Sequence, residues 1–283
     1  MRTVGIIAGF TLRESLRRRV FVVVAVLTVA FLTLFGLGVW QLYGDIDDFD
    51  TFRGIEPDIV VGATVLGLAM FGTLFLGTVL AVFLTLGAVR GDADSGLLQP
   101  LLVRPVSRRN LLLGRFAAAA GVSGCYVAAV FLAATVITWA LGGWWPDHIL
   151  GPMLALAFGV AILAAVSLAG SVFLSATANG IAVFMVFGAG LVAGLLGQIG
   201  EALGSGTLDD IAKVSSWLLP FEGLYQAALS ALTSDTIGFT RLAIDLGPFG
   251  GAEPAGPLLW LWAVVYLGLV GMVALRGFGR RDL

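Results

Sequence analysis

The stretch IVVGATVLGLAMFGTLFLGTVLAVFLTLGAV, which runs from Ile59 to Val89, contains no charged side chain and nothing more polar than threonine. A helix needs about 20 apolar residues to cross the hydrocarbon core of a bilayer, and this stretch is longer than that. An apolar helix in the core of a soluble protein would carry a polar stripe on its solvent side. We therefore predict a membrane-spanning helix here.

Four further charge-free stretches extend this pattern over the chain of 283 residues, which is 59% hydrophobic and only 12% charged. A soluble domain has about 25% charged residues. The longest stretch, residues 148–200, exceeds one helix, and the turn-prone run 175–180 divides it. We predict an all-α polytopic membrane protein with a single transmembrane domain over residues 1–283. Its spans are expected at about 20–41, 60–89, 111–141, 150–174, 179–200 and 257–275.

Basic residues concentrate on one side of these spans. The N-terminal segment, the connection between spans two and three and the C-terminal tail hold 13 basic and 4 acidic residues, whereas the other side holds 3 and 14. Arginine and lysine are enriched on the cytoplasmic side of membrane proteins, so both termini are predicted in the cytoplasm. Fifteen arginines against one lysine indicate a GC-rich genome, and we expect the cell membrane of a prokaryote.

The predicted outer side is strongly acidic, as in the run Asp45–Asp50. Clustered carboxylates can bind divalent cations. A solvated surface that repels like charges explains the same composition. We favour this second interpretation and predict no metal site.

The chain lacks residues that several mechanisms require. Its only lysine, Lys213, lies on the predicted outer side, so no lysine-containing phosphate loop for ATP is present. His148 is the only histidine and Cys125 the only cysteine, which excludes a zinc-protease motif and an internal disulfide. We expect His148 and Asp147 at an interfacial turn. No charge lies in the middle of a predicted span, although proton-driven carriers need one. We predict no catalytic residue and no cofactor in this chain.

Small residues recur at a spacing of three or four within three spans. This spacing lets helices approach closely in lipid, so we predict packing faces within the bundle. A sliding face or a subunit interface is the alternative. The residues are Ala117, Gly121 and Gly124 in the third span, Ala157, Ala161, Ala165 and Ala169 in the fourth, and Gly190, Gly194, Gly197 and Gly200 in the fifth.

The segment before the first span has the pattern of a basic amphipathic helix. Apolar residues from Val4 to Leu16 fall on one helical face, and arginines fall on the opposite face. A short basic amphipathic helix beside a span lies in the membrane interface. We predict such a helix here, with Arg13, Arg17, Arg18 and Arg19 as its basic residues.

The connection between spans two and three has an apolar tip among arginines. Pro100 and Pro105 bound the apolar residues 101–103, and Ser107 is a predicted N-cap of the third span. Charge placement explains the arginines, but it does not explain apolar side chains in water. An exposed apolar cluster marks a contact, so we predict that this connection binds a cytoplasmic partner.

A second unusual segment, residues 217–232, is apolar but too short to span a membrane. It also contains Pro220 and Glu222. We predict one or two short helices that enter the outer leaflet, with Glu222 near the boundary between lipid and water.

The sequence DADSGLLQPLLVRPVSRRNLLLGRF, residues 92–116, resembles the connection after the second span of type-2 ABC exporter permeases. The matching residues are Asp92, Gly96, Leu98, Leu101, Leu102, Pro105, Val106, Ser107, Arg108 and Gly114. Leu97, Pro100 and Arg115 depart from the family pattern. WLLPFEGLYQAAL, residues 217–229, resembles the outer segment of the same family, most closely in permeases of the nitrous-oxide-reductase-maturation and bacitracin-export type.

The resemblance implies roles for three groups of residues. A coupling helix that docks on an ATPase is implied for Gly96, Leu98, Leu101, Leu102, Val103, Pro105, Ser107 and Arg108. An interfacial elbow helix is implied for Arg13, Arg17, Arg18 and Arg19. Re-entrant outer helices between spans five and six are implied for Trp217, Pro220, Phe221, Glu222 and Tyr225.

The function implied by the resemblance is that of a membrane-spanning permease subunit of an ATP-driven exporter. Such a subunit forms homodimers or heterodimers and couples to a separate ABC ATPase that holds ATP and Mg²⁺. From the residues alone, a stand-alone channel or carrier and a membrane scaffold without transport activity stay open. The sequence does not indicate which substrate is exported, and we predict no binding of nucleic acid.

Overall fold

A computed structural model of the chain describes residues 19–44, 56–86, 107–238, 240, 244, 252, 254 and 256–280. Eight α-helices and a short 3-10 turn are bounded within these residues, and no strand is found among them. They are α1 Arg19–Gly44, α2 Pro57–Thr85, α3 Arg108–Gly142, α4 Leu150–Phe173, α5 Ala176–Leu203, α6 Gly206–Leu218, α7 Pro220–Ser230, the 3-10 turn Ala231–Thr233 and α8 Pro257–Gly279.

Six long apolar helices confirm the predicted all-α polytopic fold. α1 to α5 and α8 each have the length and composition to cross a membrane, for which about 20 residues suffice. Their bounds fall close to the predicted spans. α3 is the longest, with 35 residues, and at 1.5 Å per residue it extends about 52 Å. It is therefore longer than the hydrocarbon core of a bilayer is thick.

The break between the fourth and fifth spans is shorter than the sequence predicted. Only Leu174 and Ser175 separate α4 from α5, so most of the turn-prone run is helical. Asn179 provides the physical reason, because both of its nitrogens find partners. Its backbone N–H donates to the carbonyl of Ser175 at 2.9 Å, and its Nδ2 donates to the carbonyl of Ser167 at 2.9 Å. A side chain that often favours a turn is thus accommodated inside the bundle.

α2 and α4 form the centre of the bundle. More than half of the apolar window of each is buried, against less than a quarter for α1, α5 and α8. Gly77 on α2 faces Val127 of α3 and Val160 of α4, and a Cβ on Gly77 would overlap Val127. The peripheral helices expose apolar side chains such as Val22 and Met185, as surfaces that face lipid do.

Hydrogen bonds join the connections at one end of the bundle. In the turn between α3 and α4, Asp147 donates its backbone N–H to the carbonyl of Leu232 at 3.1 Å. Its Oδ2 accepts from the backbone N–H of Asp235 at 3.0 Å. His148 Nδ1 lies 3.2 Å from the hydroxyl of Ser234. The expected turn at Asp147 and His148 is therefore observed. We name this end of the bundle the α7 end, and the opposite end, where α2 ends and α3 begins, the loop end.

Candidate functional site

Three glycines on one face of α5 let two shorter helices approach its backbone. A Cβ on Gly190 would overlap the ring of Phe221, and a Cβ on Gly194 would overlap Glu222 Oε1. A Cβ on Gly197 would lie 2.9 Å from the Cβ of Ala212 on α6. The predicted packing face of small residues is thus confirmed for α5, where it receives α6 and α7.

α7 begins with Pro220 in its first turn. Proline fixes φ and lacks an N–H, so it is tolerated at the start of a helix but not in the interior. The predicted segment 217–232 therefore divides at Leu219 into the end of α6 and the whole of α7. The next residue, Phe221, is 1% exposed and stacks on Phe187 with ring centroids 5.8 Å apart. This stacking anchors α7 against the middle of α5.

Glu222 lies in the first turn of α7 and is buried, with 5% of its surface exposed. Gln226, one turn later, donates a hydrogen bond from Nε2 to Glu222 Oε1 at 2.9 Å. The positive end of the helix dipole favours a carboxylate at this position. Glu222 Oε1 lies against Gly194 of α5. Gly194 is three residues from the end of the apolar window Ala176–Gly197. Its carboxylate is thus enclosed by protein, and its depth in a membrane stays a prediction.

Glu222 and Gln226 line a cavity of about 670 Å³ between α5, α6, α7 and α8. Lys213 and Trp217 of α6 and Trp262 of α8 form other parts of its wall. The two indole rings lie 5.5 Å apart, and Trp262 Nε1 donates to the carbonyl of Trp217 at 2.8 Å. The wall therefore combines a carboxylate, an amide, an ammonium group and two aromatic rings. Polar groups that converge on one cavity can orient a small molecule.

Tyr225 lies on the same helix as Glu222 and is buried. Burial, and to a smaller extent the negative charge of Glu222, raise the pKa of the Tyr225 hydroxyl above its ordinary value of 10.0. A phenol is neutral at physiological pH, so this hydroxyl has a proton that it can donate. Its hydroxyl has no hydrogen-bond partner among the described residues.

A second polar cluster lies at the loop end and was not predicted from the sequence. Thr85, the last residue of α2, donates from Oγ1 to Ser167 Oγ of α4 at 2.7 Å. Asn179 of α5 donates to the carbonyl of Ser167 at 2.9 Å. All three side chains are buried. The only sequence signal was the polar run around Asn179, which indicates a turn as readily as a buried cluster. We name Thr85, Ser167 and Asn179 the loop-end cluster.

A comparison with protein families matches residues 6–283 to the family described as ABC-2 family transporter protein. The chain belongs to this ABC-2 family. Because the match covers almost the whole chain, the protein is a membrane permease component of an ABC transporter, and the family implies an ABC ATPase partner. Members of the family are transport subunits of the membrane and are not themselves ATPases. A comparison with curated proteins finds no match.

The ABC-2 family match confirms the resemblance that residues 92–116 carry, whereas the nitrous-oxide-reductase-maturation or bacitracin-export type stays a prediction. Most of the predicted coupling and elbow residues lie outside the described part of the chain. These are Gly96, Leu98, Leu101, Leu102, Val103 and Pro105 in the connection, and Arg13, Arg17 and Arg18 before α1.

Three of the predicted ABC-2 residues stand at helix starts that the structure describes. Arg19 begins α1 and Arg108 begins α3. Ser107 is the predicted N-cap of α3, and its Oγ accepts from the backbone N–H of Asn110 at 3.3 Å. The start of α3 is thus as predicted, while the coupling helix and the elbow helix stay predictions.

The predicted outer residues of this ABC-2 protein come together around the junction of α6 and α7. Phe221, Glu222 and Tyr225 are buried there, whereas Trp217 is half exposed beside the cavity. That these two helices enter the membrane from its outer side stays a prediction.

Proposed function

We propose that this ABC-2 protein is the membrane-spanning half of an ATP-driven exporter. Its single domain pairs with a second permease, identical or related, and works with a separate ABC ATPase that binds ATP and Mg²⁺. It lies in the cell membrane of a prokaryote with both termini in the cytoplasm. The family match over residues 6–283 and the excess of arginine in the segments at the loop end support this proposal.

The proposed coupling between the ATPase and the bundle depends on how the connection 87–106 is attached to the helices. This connection joins α2, at the centre of the bundle, to α3, the longest helix. Thr85, at the end of α2, is hydrogen-bonded to Ser167 of α4, which also accepts a hydrogen bond from Asn179 of α5. Coupling between distant sites is carried by such networks of packing and hydrogen bonds. A displacement of the connection would therefore reach α2, α4 and α5 together.

The apolar residues Leu101, Leu102 and Val103 supply, in this proposal, the surface that contacts the ATPase. The surrounding arginines hold the connection close to anionic lipid headgroups. A charge buried at an interface without a partner costs about 3–5 kcal/mol. The same charge in an open loop changes stability by less than about 0.5 kcal/mol.

Leu102→Glu is therefore expected to leave expression and membrane insertion intact and to abolish co-purification with the ATPase, or to uncouple ATP hydrolysis from transport. Affinity capture of the ATPase subunit, followed by measurement of hydrolysis in reconstituted vesicles, tests this. Arg108→Ala is the comparison variant, and it should have a smaller effect because Arg104 and Arg109 remain.

A Leu102→Glu protein that still binds the ATPase and transports normally would remove the coupling role from this connection. Transport that continues without ATP would indicate a stand-alone channel or carrier instead.

A further inference from the structure

The cavity beside Glu222 has charges of both signs in its wall. The Glu222 carboxylate is buried, while Lys213 on α6 is exposed and also lines the cavity. A ligand that fits both would therefore carry a positive group toward Glu222 and a negative group toward Lys213.

The groups around Glu222 favour a ligand that donates hydrogen bonds. Gln226 donates one hydrogen bond from Nε2 to Glu222 Oε1. A carboxylate accepts several hydrogen bonds, and a primary ammonium group supplies three donors. A quaternary ammonium group has no N–H to donate. A primary ammonium group is therefore the cation that suits this end of the cavity.

The position of the cavity favours a lipid as the source of that group. Gly194 and Gly197 line it at the end of the apolar window of α5, the level at which a spanning helix is expected to leave the hydrocarbon. It is partly open, and Leu258, Leu259 and Trp262 from the start of α8 contribute apolar lining. Acyl chains can leave over such a surface without passing through water.

The two faces of α6 agree with this arrangement. Ile211, Val214 and Leu218 project from one face and are exposed, which is the pattern of a helix that rests on lipid. Lys213 and Ser216 lie on the opposite face and line the cavity. α6 thus presents an apolar face on one side and a cation to the cavity on the other.

We propose that this cavity binds the headgroup of a phospholipid with a primary ammonium group, such as phosphatidylethanolamine. The ammonium group donates to Glu222, and the phosphate accepts from Lys213. The volume of about 670 Å³ lies within the range of about 300–1,000 Å³ for small-molecule sites. The lining residues named here come from one chain, so binding is measurable without an ATPase partner.

Native mass spectrometry of the purified full-length chain in detergent tests the proposal. Phosphatidylethanolamine, phosphatidylcholine and phosphatidylglycerol with identical acyl chains are titrated separately. We expect phosphatidylethanolamine to bind at least about tenfold more tightly than the other two, since charge-assisted hydrogen bonds are the strong ones. Glu222→Gln should bring its affinity down to that of phosphatidylcholine. Equal affinities for the three lipids in the unsubstituted chain would overturn the proposal.

Matched variants separate loss of the site from loss of the fold. Asp210→Asn removes a negative charge from an exposed position on α6 outside the cavity, and it should keep the lipid preference. Lys213→Ala changes an exposed residue, which leaves the fold intact, and it should lower the affinity for phosphatidylethanolamine by about fivefold, as expected for one exposed ion pair. A Lys213→Ala chain with unchanged affinity would overturn the phosphate contact.

A competition experiment distinguishes a lipid ligand from a soluble zwitterion. Free phosphoethanolamine has the same headgroup without acyl chains, and we expect it to compete only at concentrations far above those of the lipid. Competition at equal concentration would show that the cavity takes a soluble ligand, and the lipid proposal would then be wrong.

Discussion

At the scale of single residues, the contact between α5 and α7 depends on a missing side chain. A Cβ on Gly194 would overlap Glu222 Oε1 and approach Gln226 Nε2 at 2.9 Å. Enlarging a well-packed position costs about 1–3 kcal/mol. We therefore expect Gly194→Ala to lower the thermal unfolding midpoint of the purified chain, measured by the intrinsic fluorescence of its tryptophans.

Gly188 on the same helix provides the control. A Cβ at this position meets nothing within 4 Å, and alanine favours a helix over glycine by about 1 kcal/mol. Gly188→Ala should therefore keep or raise the midpoint. Equal unfolding midpoints for the two variants would contradict this prediction.

At the scale of helices, the hydrogen bond between Thr85 and Ser167 joins the end of α2 to α4. Side-chain hydrogen bonds between membrane helices contribute about 0.6 kcal/mol on average and at most about 1.7 kcal/mol. A double-mutant cycle of Thr85→Val and Ser167→Ala should therefore show a coupling energy in this range. Reversible unfolding in mixed micelles measures it.

Ser123 on α3 supplies a control for that cycle, because its hydroxyl donates to the carbonyl of Ala119 in its own helix at 2.7 Å. The effects of Thr85→Val and Ser123→Ala should add, since the two residues share no hydrogen-bond partner in the described part of the chain. If the effects of Thr85→Val and Ser167→Ala on the free energy of unfolding also add, the loop-end cluster does not hold α2 to α4.

The spans were predictable because lipid imposes one requirement on every residue of a long window, namely that it be apolar. The break near Ser175 was predicted too long, since the sequence does not show that Asn179 finds a partner in Ser167. The residues 217–232 were recognised as short helices with Glu222 among them. Their cavity was not predicted, because Gly194, Lys213 and Trp262 are far apart in sequence and only tertiary packing brings them together.

At the scale of the whole molecule, one helix connects the two polar sites. Asn179 belongs to the loop-end cluster, and Gly194 contacts Glu222 at the cavity. Both lie on α5, about 22 Å apart along the helix axis at 1.5 Å per residue. If this helix moves as one body, a shift of the loop end carries the cavity wall with it. α5 would then link the proposed ATPase contact at the loop end to the cavity at the α7 end.

The orientation of the bundle is the prediction on which these roles depend. Ser107 caps the start of α3, and Ser234 lies beside the turn that follows the end of α3. They are thus at opposite ends of a helix about 52 Å long, and both are exposed. Cys125 is an exposed free cysteine, so Cys125→Ala comes first, followed by Asp48→Cys, Ser107→Cys, Ser234→Cys or Asp282→Cys singly.

A membrane-impermeant thiol reagent applied to intact cells should label the cysteines at positions 48 and 234 and leave those at 107 and 282 unlabelled. Lysed cells should label all four, which controls for reactivity. The reason is the excess of arginine around residues 90–115 and in both terminal segments, which is expected to keep these segments in the cytoplasm. Labelling at 107 from outside would place the connection 87–106 beyond the reach of any cytoplasmic ATPase. The lipid site at Glu222 would then face the inner leaflet and could still be tested by itself.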